Sequence, residues 1–365
     1  MKEQIIKLLD RNVGGPIVRL MRFSYFIPRT YKPLDLDTFS SFLIIRPGGM
    51  GDAALLLPLI RYLRSRGKKV AVICNRRNKG IFDLFKKHKF LDEVFLLEKV
   101  RDVVNCSKVR FDCILDSEQS FYTSALIAQF IAPKKIIGFD TNERRNLYDF
   151  FVHYRQEEYE AQSFLNLLRP FGLDLELDSV DLKLPKLELQ QDLHFEGRLL
   201  TVFGGAHMPT RSISVEPLQK ALAKLSSHFD LITAIGTSHD AAHADAYLRD
   251  IPNARNMCGK TSLEGTLALL QMAQAFIGSD SGPLHLALLA GVPRIVGIFG
   301  PGIEAKWAHP QLMHVVTSSQ LPCRPCNYGR FSQTPACPYD AACMATIRAE
   351  QIVSAILTEK PGVEP

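Results

Sequence analysis

Two textures alternate along this chain. Short runs rich in branched and aromatic residues are separated by longer stretches in which apolar positions recur every three or four residues. The runs predict strands over 41–47, 69–75, 93–98, 111–118 and 134–140, with helices over 53–66, 120–131 and roughly 157–171. Residues 174–194, DLELDSVDLKLPKLELQQDLH, break the pattern: they are charged, alternating and carry a proline, and read as a link between domains. The alternation then restarts, with strands over 197–206, 229–237, 275–282 and 294–301 and helices over 215–228, 239–249, 262–273 and 283–290. Strands alternating with helices predict parallel sheets, and two such series predict two open α/β domains in tandem. In sheets of this kind ligands bind beyond the carboxyl ends of the strands, and each loop considered below falls at such an end.

Length and charge narrow this picture. The 365 residues exceed one ordinary core, and 46% hydrophobic content with zero mean hydropathy describes a globular chain with much to bury. No run of about 18 uncharged apolar residues occurs, so no transmembrane helix is predicted. The N-terminus lacks the pattern of a signal peptide, which predicts a cytoplasmic protein. The formal charge is +6, and most of it sits early: between Met1 and Pro33 seven Lys and Arg face two acids, a net +5. Apolar residues such as Ile5, Ile6, Leu8, Ile17, Val18, Leu20 and Phe23 interleave them. Such a segment reads either as a helical arm packed on the first domain or as an amphipathic contact for an anionic membrane face. Nucleic acid is not expected as a partner, since the basic residues do not continue into a stripe and no binding motif follows.

Four loops carry candidate chemistry. In RPGGMGDAALLLP, Gly48, Gly49 and Gly51 allow a tight turn and close approach to a ligand, as an acceptor-binding loop would need. The spacing is neither a dinucleotide G-x-G-x-x-G nor a P-loop. Asp52 after these glycines is a helix N-cap or a general base for an acceptor hydroxyl. In GSDSGPLHLALLAGVP a strand runs into Asp280, Ser281, Gly282 and Pro283, with His285 in the first turn of a helix. The helix start and the Ser281 hydroxyl suit a diphosphate; the plain alternative is a capped helix with His285 on the surface. Gly204 and Gly205 form another glycine turn, with Arg211 within reach of an incoming phosphate or simply solvated. Asp240 is a ribose-binding acid or an N-cap.

Cysteine usage adds one question. Cys74, Cys106, Cys113 and Cys258 are scattered among apolar residues and read as core. Cys323, Cys326, Cys337 and Cys343 cluster late, with one C-x2-C pair. They suit a structural zinc or iron–sulfur cluster, or else remain free or redox-active thiols.

The stretches LIIRPGGMGDAALLLPLIRYLR (43–64) and LEGTLALLQMAQAFIGSDSGPLHLALLAGVPRIVGIFGP (263–301) together resemble glycosyltransferase family 9, the heptosyltransferases of lipopolysaccharide core assembly. The late CRPC…ACPYDAACM segment also resembles one that many members carry. The likeness runs over roughly 41–347. It implies a GT-B fold of two Rossmann-like domains with mainly parallel sheets, the acceptor domain first and the donor domain second, with the active site in the cleft. It divides the chain into a basic arm (1–40), an acceptor domain (41–185), a donor domain (186–347) holding the cysteine segment 323–343, and a C-terminal helix and tail (348–365). It implies inverting, metal-independent transfer of a sugar, often from ADP-heptose, to a lipid-linked surface glycan at the inner face of the inner membrane. Asp52 takes the place of the catalytic base, Asp280 to His285 that of the donor diphosphate loop, and Asp240 that of the acid on the donor ribose. Where members commonly carry lysine followed two places later by tryptophan after the 204–206 turn, this chain has Arg211-Ser212-Ile213.

The alternatives to this reading are a family member with a different nucleotide sugar or acceptor, a nicotinamide-dependent oxidoreductase on a two-domain α/β fold, and a non-catalytic nucleotide- or metal-binding module. The missing G-x-G-x-x-G counts against the second.

Overall fold

The structure is a computed structural model that describes residues 10–21, 32–188, 195–206, 208–318, 321–326 and 337–358. About half of the basic arm, including Lys2, Lys7, Arg22 and Arg29, and part of the 174–194 link therefore lie outside the described residues. The chain divides into two compact units. One comprises the residues up to Arg155 with Glu160–Asp181; the other comprises Gln156–Tyr159 and the residues from Leu182 on.

The first unit holds strands β1 (Ser41–Arg46), β2 (Lys69–Cys74), β3 (Glu93–Leu96), β4 (Cys113–Asp116), β5 (Lys135–Phe139) and β6 (Phe150–Val152). They form one parallel sheet in the order β3-β2-β1-β4-β5-β6. Helices cover it because their apolar positions share one face. In helix Lys79–Lys87, for example, Ile81, Phe82, Leu84 and Phe85 are buried while the lysines stay out. Strand β1 runs through the middle, buried from Phe42 to Arg46, as a strand covered on both faces must be.

The second unit repeats the plan with β7 (Leu199–Phe203), β8 (Leu231–Ala234), β9 (Ala254–Asn256), β10 (Ala275–Ser279), β11 (Arg294–Phe299) and β12 (Met313–Thr317). Its parallel sheet has the order β12-β11-β10-β7-β8-β9. Leu200, Val202, Ile232, Ile277, Val296 and Ile298 share its core with Leu218, Leu222 and Ile352 of the covering helices. In both sheets the strand order reverses beside the first strand of the unit, between β1 and β4 and between β7 and β10. Folds of this kind place ligands at such a switch point, outside the carboxyl ends of the strands.

Several elements differ from the sequence-based expectation. The helix expected over 53–66 is two, Met50–Ala54 and Leu57–Ser65. Pro58 opens the second, and a proline lacks the N–H that a continuous helix would need there. The helix expected over 157–171 is Glu160–Asn166 followed by a 3-10 turn at Arg169–Phe171, where Pro170 intervenes. Strands β6, β9 and β12 went unanticipated: each lies at a sheet edge, and Ala-Arg-Asn in β9 offers no apolar alternation to read.

Candidate active site

In the first unit, β1 ends in an arginine. The Arg46 side chain is 2% exposed. One guanidinium nitrogen lies 3.0 Å from Asp52 Oδ1. The other donates to the Ser117 carbonyl at 2.6 Å and to Gln119 Oε1 at 3.1 Å. The plane sits over the Phe164 ring, 4.9 Å from its centroid. Burial works against the charge, but Asp52, then Glu118 and Glu160, outweigh it and raise the Arg46 pKa further. Gln119 in turn donates to Glu160, whose other oxygen accepts from Tyr154 Oη at 2.7 Å. Asp52 thus stands at one end of a hydrogen-bonded chain running through Arg46 and Gln119 to Glu160.

Asp52 is not the N-cap. Gly49 is, and Asp52 stands three residues on, its Oδ2 accepting from the Gly49 N–H at 2.8 Å. The carboxylate is held at both oxygens yet keeps 21% of its side chain exposed, and an ionised carboxylate has acceptor capacity beyond two contacts. The glycines are needed for space. A Cβ on Gly48 would lie 2.7 Å from Arg46 Nε and 2.8 Å from Asp52 Oδ2, so any side chain there would part the pair. Arg46, Gln119 and Glu160 were not singled out from the sequence. The signal was present: an arginine closing an apolar strand, and the polar run Asp116-Ser117-Glu118-Gln119-Ser120 closing β4 beside it.

Beside that chain is a second buried charge. Arg144 has no exposed side-chain surface and donates to the carbonyls of Glu118 and Phe121 and to Thr141. Asp116, 3.9 Å away, accepts from Ser124 and Tyr148. Burial raises the Asp116 pKa in spite of Arg144 and these donors. These contacts fix the backbone of 117–121, from which Gln119 reaches Arg46.

In the second unit the structure brings together Gly204, Gly205, Arg211, Asp240, Asp280, Ser281, Gly282 and His285. The helix after β10 runs Gly282–Ala290 with Ser281 as N-cap. Ser281 does not cap it through its side chain: the Ser281 hydroxyl turns back to the Ser279 carbonyl at 3.2 Å and the Ser279 hydroxyl at 3.1 Å. His285 is 4% exposed, which sets aside the surface reading of that residue. Arg211 closes a 3-10 turn, Pro209–Arg211, and its Nη1 lies 3.4 Å from both the carbonyl and Oδ2 of Asp280. Arg211 is therefore not simply solvated; it sits over the end of β10 and offsets the charge of Asp280 beside the helix start.

Asp240 is the last residue of a capping box. Its Oδ2 accepts from the Thr237 N–H at 2.8 Å and hydroxyl at 2.7 Å. Its other oxygen borders the glycine turn: a Cβ on Gly205 would lie 2.5 Å from Asp240 Oδ1. Capping and a place beside the glycine loop coexist in this one side chain. Gly204 is glycine for packing, since a Cβ there would stand 2.7 Å from the Tyr247 ring.

Cys323, Cys326, Cys337 and Cys343 line one small cavity of about 20 Å³, together with Thr210, Pro301 and Arg324. Among the described residues no three His, Cys, Asp or Glu side chains form a group able to hold a metal ion. Burial, then the neighbouring Cys337 and Cys323, raises the Cys326 pKa; burial likewise raises that of Cys343. The four thiols share a location.

Comparisons with known proteins converge. Two curated relatives, both lipooligosaccharide heptosyltransferase 2 from Campylobacter jejuni subsp. jejuni, are 25% identical over 252 and 249 residues, about two thirds of this chain and 72% and 71% of theirs. Among solved structures, the ADP-heptose lipopolysaccharide heptosyltransferase II of E. coli superposes with a TM-score of 0.67 at 17% identity, covering 86% of this chain and 97% of that one. A family 9 glycosyltransferase from Veillonella parvula superposes with a TM-score of 0.68 at 15% identity, covering 88% and 97%. These likenesses identify the fold as GT-B-like. The profile of glycosyltransferase family 9 (heptosyltransferase) matches residues 105–333, a stretch that holds every residue of the second unit's loop cluster and begins downstream of Asp52. By that match the chain belongs to glycosyltransferase family 9.

Proposed function

We propose that the protein is an inverting, metal-independent glycosyltransferase that moves a heptose from ADP-heptose onto a lipopolysaccharide core or a related surface glycan. The observation that carries this reading is the loop cluster of the second unit. A glycine turn, a helix start, Arg211 and the buried His285 meet at the switch point of a Rossmann-like sheet, where a diphosphate finds positive charge and N–H donors. The donor is proposed by analogy with the E. coli ADP-heptose lipopolysaccharide heptosyltransferase II and the Campylobacter lipooligosaccharide heptosyltransferases.

In this reading Asp52 takes the proton from the acceptor hydroxyl. The hydroxyl oxygen forms its bond to the anomeric carbon as the bond to the diphosphate oxygen breaks on the opposite face. ADP leaves with the bonding electron pair. Arg211 and the start of helix Gly282–Ala290 neutralise the charge that develops there, and Asp240 holds the ribose. Such preorganised contacts are worth about 3 kcal/mol each, a hundredfold or more in rate.

Asp52→Asn removes the base and keeps the shape of the loop. It is expected to reduce transfer by about a thousandfold or more while ADP binding, measured by calorimetry, stays within about twofold of wild type. Full transfer by that variant would end the assignment. A thermal-shift panel of nucleoside diphosphates tests the donor: preferential stabilisation by UDP or GDP would overturn ADP-heptose. Transfer that persists in EDTA would support the metal-independent mechanism.

Two further parts of the proposal concern location and the cysteines. We place the protein in the cytoplasm, peripheral to the inner membrane through its basic N-terminal segment. On helix Gly15–Met21 and the turn before it, Val13, Ile17 and Leu20 are 50%, 39% and 70% exposed at i, i+4 and i+7. Among the described residues no helix is long and apolar enough to cross a membrane. Co-sedimentation with vesicles containing anionic lipid, lost on Leu20→Glu and at high salt, is the expected result; equal pelleting with neutral vesicles would count against it. The four thiols that line one cavity suit a structural zinc or iron–sulfur cluster; metal analysis of the purified protein decides it.

A further inference from the structure

Strand β11 pairs with β10, Ile298 lying opposite Ser279, so the loop that leaves β11 at Phe299 emerges beside the loop that carries Asp280. The two touch. The Asp280 N–H donates to the Ile298 carbonyl at 3.1 Å, and a Cβ on Gly302 would overlap Asp280 Oδ2. Farther along the same loop, the Trp307 ring stands 6.1 Å from the His285 ring. The segment 300–307 therefore borders both ends of the acid-to-histidine stretch of the second unit's cluster.

The segment is held from behind by the cysteine segment, chiefly by one side chain. Arg324, 10% exposed, lies inside the C-x2-C pair. Its Nε donates to the Gly300 carbonyl at 2.6 Å, Nη1 to the Ser318 carbonyl at 2.6 Å, and Nη2 to the Phe299 carbonyl at 3.2 Å and to the Glu304 carboxylate. Two residues on, the Cys326 N–H donates to the Pro301 carbonyl at 3.0 Å. Three successive carbonyls of the β11 loop thus find their partners in the cysteine segment. Carbonyls this sheltered lose stability when left unpaired. Only a planar fork serves several of them at once; lysine presents a single point charge.

We propose that the loop Gly300–Trp307 is a further wall of the donor seat, and that Arg324 is the positioning residue that holds it there. This rests on the reading that the second unit binds the donor diphosphate. The cysteine segment then has a role in donor binding that needs neither a metal nor thiol chemistry. Arg324 sets the loop, the loop presses Gly302 against Asp280, and Asp280 is the partner of Arg211.

The chain has a single tryptophan, so emission excited at the red edge, beyond tyrosine absorption, reports on Trp307 alone. ADP is the probe, with calorimetry read in parallel. In wild type, ADP is expected to change Trp307 emission with a midpoint equal to the calorimetric Kd. Arg324→Met is expected to shift the emission before any ligand is added and to weaken ADP about tenfold or more, with Arg324→Lys recovering part of the loss. Gly302→Ala, which leaves Arg324 in place, is expected to weaken ADP as well. An Arg324→Met protein with wild-type circular dichroism and wild-type ADP affinity would overturn the proposal, as would ADP binding that leaves Trp307 emission unchanged. If Arg324→Met does not fold, Gly302→Ala decides: unchanged affinity there overturns it. Wild-type protein that gives no ADP binding removes the donor reading and this wall together, whereas binding that neither variant disturbs removes the wall alone.

Discussion

At the scale of single residues, the site depends on buried charges that the local sequence announces only weakly. Arg46 is surrounded by acids from three segments, Asp52, Glu118 and Glu160. Arg46→Met leaves those carboxylates uncompensated and is expected to cost about 3–5 kcal/mol in denaturant unfolding. Arg46→Lys keeps the charge but not the fork, so it is expected to fold and to lose turnover rather than donor affinity. Asp112 shows a simpler electrostatic effect. Burial pushes its pKa up, but Lys134 and the N–H groups of Ser40 and Ser41, at 2.7 and 3.1 Å, outweigh it and hold the carboxyl below the usual range. A depressed folded-state pKa means stability present above the unfolded pKa of about 3.9 and lost as pH falls through the folded one. Asp112→Asn is therefore expected to lower the melting temperature at pH 7, and the gap from wild type should close toward pH 3. Among the thiols, burial pushes Cys74 and Cys106 up to about 12 and Cys258 to about 11. Iodoacetamide at pH 8 should label the exposed Cys326 well before these three, as peptide mass spectrometry would show.

At the scale of elements, most strands and helices were legible because burial on both faces leaves β1, β2, β7 and β10 nearly continuous apolar runs. What failed was local. Pro58 divides one expected helix, Pro170 follows the end of another, and the short edge strands β6 and β9, three residues each, carry too little pattern to register. The N-terminal helix illustrates a tertiary contact that no window along the chain contains. Asp10, 7% exposed, accepts from the N–H groups of Tyr122 and Thr123 at 2.9 and 2.6 Å and so serves the free start of helix Tyr122–Ile131. Arg19 pairs with Glu143 at 3.1 Å, an exposed contact of small worth. Asp10→Ala is expected to cost about 1 kcal/mol, as loss of a helix cap does, and to speed amide exchange over residues 15–21, read by mass spectrometry.

At the scale of the whole molecule, each unit has its own six-stranded sheet, and the diphosphate contacts proposed here all come from the second. ADP at a hundredfold excess over its Kd should stabilise that unit by about 2.7 kcal/mol, so a calorimetric scan is expected to show the later-sequence unit shifting. A shift confined to the first unit would contradict the placement of the donor. By itself the sequence determined the α/β class, the two series of strands and the loops at their ends, because hydrophobic periodicity and glycine placement are local properties of the chain. It also carried the family likeness, in motifs that are contiguous. It left Asp52, Asp240, Arg211 and His285 with two readings each. Only the tertiary structure decided which side chains are neighbours: Arg211 beside Asp280, Arg46 beside Asp52, Arg324 under the β11 loop. Those pairs are 69, 6 and about 20 residues apart in the chain. Their contact is set by strand order and by the burial that makes an unpartnered charge untenable, and neither is written in any one stretch of residues.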